Sequence, residues 1–196
     1  MLYRELENHI FRLLASELAE NLYYHDIKHT ADVIRAAERL CYLEGVSGQD
    51  ALLLKTAALF HDCGFTQQYI DNEDCAIEMA QELLPNYGYT ANQIKTVGDI
   101  IAVTRIPHNP QNHLQEIMCD ADLDYLGRED FPPISDNLRK ELMAYNIIKT
   151  AKEWDGIQVK FFGLHKFFTA SAIKIRAAKK EEHLMTIIKR LEADKY

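Results

Sequence analysis

Glycine and proline are scarce, 8 and 5 residues in a chain of 196. Sandwiches and barrels spend these residues at their many turns, so an all-β architecture is excluded and a helical one favoured. Cysteine is scarce too. Cys41, Cys63, Cys75 and Cys119 are scattered, with no close CxxC pair. That excludes a disulfide scaffold or a thiolate zinc site and reads as free, buried thiols in a reducing compartment. No apolar run approaches the ~20 residues that span a bilayer. Met1 to Glu7 is polar and carries no signal core. A cytoplasmic protein with no membrane partner is expected. Positive charge is short as well: 22 Lys and Arg against 30 Asp and Glu leave a net charge of −8. Lys179-Lys180 is followed at once by Glu181-Glu182, a solvated helix face, so no nucleic-acid polymer is expected as partner. A small phosphate ester stays open, because a metal ion can supply positive charge locally.

What the chain has is helical periodicity. Leu6, Ile10, Leu13, Leu14 and Leu18 mark a helix within Leu2 to Leu22. Val33, Ile34, Ala37, Leu40 and Cys41 mark a second, about Thr30 to Glu44, closed by Gly45 and Gly48. Ser47 with Asp50 resembles a capping box for a third, Asp50 to Asp62. That third helix is apolar nearly all round and should lie at the centre of a bundle. A fourth runs from Asp71 to Leu84, and Pro85 stops it. A fifth runs from Thr90, capped with Gln93, to Ala102. Thr104 to His113 reads as a loop, Leu114 to Leu126 as a helix, and Phe131-Pro132-Pro133 as a break. Ser135 or Asp136 caps a helix to about Lys152, and two more cover Gln158 to Ala178 and Glu181 to Ala193. The expected fold is all-α, a single domain over 1–196 with about eight or nine helices.

Three stretches carry candidate chemistry. His61-Asp62 ends the apolar helix. Upstream lies Tyr24-His25-Asp26-Ile27-Lys28-His29, with His29 at a helix start and His25 just outside it. Downstream lies Asp120-Ala121-Asp122-Leu123-Asp124, with Asp122 near the middle of a helix. Two imidazoles and two carboxylates make a mixed N/O site, suited to a divalent transition metal or Mg²⁺ rather than a closed structural zinc. Asp120 and Asp124 turn off the face of Asp122 and read as supporting or surface groups. Lys28, Thr104, Arg105 and His108 are candidates for holding a phosphate. His165, Thr169 and Trp154 read as core.

The order His29, His61-Asp62, Asp122 resembles that of the HD-domain metal-dependent phosphohydrolases. Tyr24-His25 followed by His29 is similar to the phosphodiesterase branch of that superfamily, and Asp120 to Gly127 to its acidic helix. The resemblance covers 24–127, with the helices of 135–193 completing the fold. It implies His29, His61, Asp62 and Asp122 as metal ligands and His25 as general acid. It implies one firmly bound divalent ion (Mn, Mg, Fe, Co or Zn) and leaves a second open. Many two-metal members carry a further histidine soon after the His-Asp pair. Here that stretch reads Asp71-Asn72-Glu73, which leaves only His108 and His113 as spare imidazoles.

The implied function is hydrolysis of a phosphate ester of a small molecule, a nucleotide or cyclic nucleotide, with metal-activated water as nucleophile and Asp62 orienting it. Two alternatives remain. One is a catalytically silent module that senses a nucleotide through the same ligands. The other is a zinc peptidase using His25-x-x-x-His29, which requires both histidines in one helix. Oligomeric state stays open, a homodimer included.

Overall fold

The structure is a computed structural model that describes residues 1–193. The last three residues of the expected 1–196 domain lie outside it. Among the described residues there are nine α-helices and no strand: α1 Tyr3–Glu17, α2 Ile27–Leu43, α3 Gly48–Phe60, α4 Asn72–Leu83, α5 Ala91–Ala102, α6 His113–Asp122, α7 Phe131–Ala144, α8 Ala151–Leu164 and α9 Ala170–Glu192. Short 3-10 turns at Cys63–Thr66, Leu84–Tyr87 and Asp124–Gly127 link them. No helix among these residues is long and apolar enough to cross a membrane.

Helix α3 is the axis of the molecule. Leu53, Leu54, Ala57, Ala58, Leu59 and Phe60 are all buried, on every face. Its neighbours are α1, α2, α4, α5 and α6. Apolarity all round leaves such a helix no solvent face, so the others close on it. Ala57 and Ala58 are fully buried, and their small side chains let α3 come close to its neighbours.

Two glycines mark close approaches behind the site. A Cβ at Gly64 would stand 1.8 Å from the backbone oxygen of Asn72, so the turn after His61-Asp62 lies directly on the start of α4. A Cβ at Gly127 would stand 2.4 Å from the backbone oxygen of Arg176, where α9 crosses the turn after Asp122. Any other residue at either place collides with main chain, which cannot swing aside.

Several boundaries differ from the expectation. Helix α1 ends at Glu17 rather than near Leu22, and Asp122 closes α6 rather than sitting mid-helix. Pro132 and Pro133 begin α7 instead of breaking the chain, because proline suits the first helical turn, where its missing N–H has no partner to lose. The expected helices at 158–178 and 181–193 are instead α8 and α9, divided at His165 to Thr169. His165 and Thr169 therefore share no helix face. Ser47 makes no side-chain capping bond. The Thr90–Gln93 box is formed in both directions.

Candidate metal centre

Three helix ends meet at one point. His29 lies in the first turn of α2, where Asp26 caps the helix by accepting from the amides of Lys28 (2.8 Å) and His29 (2.9 Å). His61 and Asp62 leave the end of α3, and Asp122 is the last residue of α6. The carbonyl ends of α3 and α6 thus add negative partial charge to two carboxylates. The place favours a cation.

The atoms are tightly grouped. His29 Nε2 stands 3.2 Å from Asp62 Oδ2 and 3.3 Å from Asp122 Oδ1. His61 Nε2 stands 3.1 and 3.4 Å from the same two oxygens, and 3.3 Å from His29 Nε2. Ligands about 2.1 Å from one divalent ion would be separated by roughly 3.0–3.4 Å in octahedral or tetrahedral geometry. His61 donates Nδ1–H to the carbonyl of Ala58 (2.9 Å), which leaves the Nε2 lone pair facing the group. Asp62 Oδ2 is buried and has no hydrogen-bond partner. These residues fit a divalent ion: two imidazole nitrogens, two carboxylate oxygens, and an orphaned buried oxygen among them.

The charges are strongly coupled. Burial alone would push the His29 imidazole down, but Asp122 and Asp62 outweigh it and raise it to about 9. Burial likewise opposes charge on His61, and the same carboxylates lift it well above its ordinary value. Burial would raise Asp62 and Asp122, and the two imidazoles hold both well below the usual carboxylate range. A metal ion held among them would take the place of protons as the positive charge that balances these carboxylates.

His25 stands beside the ligands, not among them. It lies outside α2, which starts at Ile27, and its Nδ1 is in short contact with Glu141 Oε1. Its ring stacks on Phe65 with centroids 4.0 Å apart. Glu141 is fully buried in α7. Its Oε2 accepts from the amides of Tyr24 (2.8 Å) and His25 (3.0 Å), and its Oε1 accepts from the Tyr69 hydroxyl at 3.0 Å. Burial would raise Glu141, but the His25 imidazole and these amides keep it lowered. The carboxylate therefore fixes both the ring and the backbone of His25. Sequence reasoning missed Glu141. The signal was its position in the apolar stripe of α7, seven residues after Ile134 and three after Leu138.

A cleft of about 310 Å³ opens onto the group and is lined by His25, Asp62, Asp122, Asn72 and Thr104. Asn72 Oδ1 is buried and unpartnered. Thr104 is buried and donates its hydroxyl to the carbonyl of Ile101 at 2.8 Å. The other candidate phosphate holders are not brought to this cleft. Lys28 lines a separate groove on the other side of His29. Arg105 pairs at the surface with Asp74 (2.9 Å) and Glu73 (3.7 Å), so its charge is already matched. His108 lines an adjoining cavity and bonds the carbonyl of Thr104 at 3.1 Å. His113 pairs with Glu44 and Glu116 at the surface.

Two aspartates flanking Asp122 act on its surroundings. Asp120 is fully buried and accepts from the amides of Phe168 and Thr169 and from the Thr169 hydroxyl. Asp124 is buried against the guanidinium groups of Arg39, Arg128 and Arg176. Trp154 is buried as expected, but it lines the cleft.

No family model and no curated protein matches the chain. Among solved structures it is similar to a predicted HD superfamily hydrolase from an uncultured Thermotogales bacterium. The two share 21% identity at a TM-score of 0.61, over 95% of this chain and 91% of that one. At this identity the likeness establishes the fold alone, an all-α domain with the same arrangement as that neighbour.

Proposed function

We propose that the protein is a metal-dependent phosphohydrolase acting on a small organic phosphate, with nucleotides and cyclic nucleotides the substrates to try first. The observation that carries this reading is that the Nε2 atoms of His29 and His61 each stand 3.1–3.4 Å from a carboxylate oxygen of Asp62 and one of Asp122, on the same cleft as a histidine that a buried carboxylate holds in place. The fold shared with a predicted HD superfamily hydrolase supports it.

These four residues would hold a divalent ion, which when bound supplies the positive charge that polarises a phosphoryl group and makes a water nucleophilic near neutral pH. The chain's own groups do the rest. Asp62, at the cleft wall, orients the attacking water and takes up its proton. Glu141 holds His25 through Nδ1, so Nε2 is the nitrogen left to protonate the departing ester oxygen. Phe65, stacked on that ring, keeps it from turning.

The zinc-peptidase alternative loses its premise, because His25 lies outside the helix that carries His29 and is engaged by Glu141. A silent sensor would use the same ligands, so an assay separates the two. Metal analysis of the purified protein, then phosphate mono- and diesters screened with Mn²⁺, Mg²⁺, Co²⁺ and Zn²⁺, should give turnover with at least one ion. Asp122→Ala should lose both metal and turnover. A fully loaded, active Asp122→Ala protein would refute the site, and tight ligand binding without turnover would favour the sensor.

A further inference from the structure

The cleft has two unlike kinds of wall. Asp62, Asp122 and His25 belong to the helix-end group, and α7 gives Phe131, Leu138 and Leu142 while α8 gives Trp154, Ile157 and Phe161. Both belong to one continuous cavity of about 310 Å³, near the lower limit for small-molecule sites. No lysine or arginine lines it, and Glu73 adds a third carboxylate to its wall.

The polar groups on the apolar wall are occupied with one another. Ser135 donates to Gln158 Oε1 at 2.6 Å and accepts from Trp154 Nε1 at 3.2 Å. Gln158 Nε2 donates to Asp155 Oδ1 at 2.9 Å. All four residues are buried. A wall whose hydrogen bonds are already made asks for none from a ligand, so it selects by shape and apolar area.

Building on the phosphohydrolase reading, we infer that the substrate is a phosphate ester of a flat, largely apolar ring. Its ring carries neither a second anionic group nor a sugar's hydroxyls, which sets it apart from sugar and polyol phosphates and from nucleotides. The nucleotides tried first in a screen should therefore turn over more slowly than an aryl phosphate. The phosphoryl group lies beside the His-Asp group and the ring lies in the slot between Trp154, Phe161 and Leu138. A second phosphate would meet carboxylates and aromatic faces with no cation to balance it. A polyol reaching past Asn72 Oδ1 and the carboxylates would leave its further hydroxyls beside Ser135, Trp154 and Gln158, whose hydrogen bonds are already made.

The chain has one tryptophan, Trp154, in the slot wall, so its fluorescence reports occupancy. Three phosphonates that cannot be hydrolysed test the inference on Mn²⁺-loaded protein: methylphosphonate, phenylphosphonate and 4-phosphonobenzoate. Phenylphosphonate should bind on the order of ten-fold tighter than methylphosphonate, as burying a ring implies. It should change the tryptophan emission. 4-Phosphonobenzoate, the same ring with an added anion, should bind about ten-fold more weakly than phenylphosphonate. Ile157 is a wall residue 43% exposed, so a longer side chain there can reach solvent without entering the core. Ile157→Lys should reverse the order of those two aromatic ligands. Equal binding of methyl- and phenylphosphonate, or no penalty for the carboxylate, overturns the inference. If no phosphonate binds with metal, the phosphohydrolase reading falls by itself. The slot is then judged with neutral probes: a response to benzyl alcohol and not to glycerol upholds it, and any other pattern overturns it.

Discussion

Glu141 is the residue on which the arrangement at His25 depends. One buried carboxylate receives two backbone amides, a tyrosine hydroxyl and an imidazole. Glu141→Gln keeps the shape but offers one acceptor oxygen where two were used. Its NH₂ must then face either the amides of Tyr24 and His25 or the imidazole, an unmet bond of about 1–3 kcal/mol. Metal content should be unchanged, because no ligand is touched. Turnover should fall, and more steeply for esters with poor leaving groups than for a 4-nitrophenyl ester, which departs without help from an acid. An equal loss on both kinds of ester would reduce Glu141 to a structural role. His25→Ala should show the same leaving-group bias with full metal loading. Loss of metal from it would move His25 into the ligand set.

At the scale of elements, the junction of α8 and α9 carries a pH dependence of its own, apart from the His-Asp group. His165 closes α8, and its Nδ1 accepts from Lys180 Nζ at 3.2 Å. Burial pushes this imidazole down, Lys180 and His108 push it further, and it reaches about 3. In the unfolded chain it takes up a proton near the ordinary ~6.5. Between those values the unfolded state binds more protons. The stability contributed by neutral His165 is therefore full above about 6.5 and is lost as pH falls toward about 3. His165→Gln should flatten the fall in urea midpoint between neutral and acid pH. Parallel curves for the variant and the parent would remove His165 from the acid response.

The same junction explains which elements could be read from the sequence. Helix α2 follows its apolar stripe, α3 its apolarity all round, and Thr90 with Gln93 carried the start signal of α5. The division at His165 to Thr169 could not be read, because Phe161, Phe162, Phe167 and Phe168 continue a helix-like apolar pattern across it. What breaks the helix comes from elsewhere. Asp120 takes the amides of Phe168 and Thr169, and Lys180 takes the carbonyls of Phe162 and His165. Such partners leave no local mark. The candidate ligands were easier, since each stands in a short stretch of recognisable residue order, although Asp122 proves to close its helix rather than sit within it. Glu141, 116 residues from His25, offered only its place in the apolar stripe of α7.

At the scale of the whole molecule, the four candidate ligands come from three segments far apart in the chain. His29 belongs to α2, His61-Asp62 to the end of α3, and Asp122 to α6. An ion held by all four would bind the folded chain and not the unfolded one, because the ligands meet only when these helices have packed. Its removal must therefore lower stability by mass action. Free metal at a hundred times the dissociation constant is worth about 2.7 kcal/mol. In a domain of this size each kcal/mol moves Tm by roughly 2–4 °C. Stripping the protein with a chelator should then lower Tm by about 5–10 °C, and Mn²⁺ or Zn²⁺ should restore it. Asp122→Ala should melt at one temperature with or without metal. His25→Ala should keep the metal-dependent rise, because its imidazole lies outside the ligand group. A parent protein whose Tm ignores both chelator and metal would mean that the four side chains do not act together on one ion, however close their atoms stand.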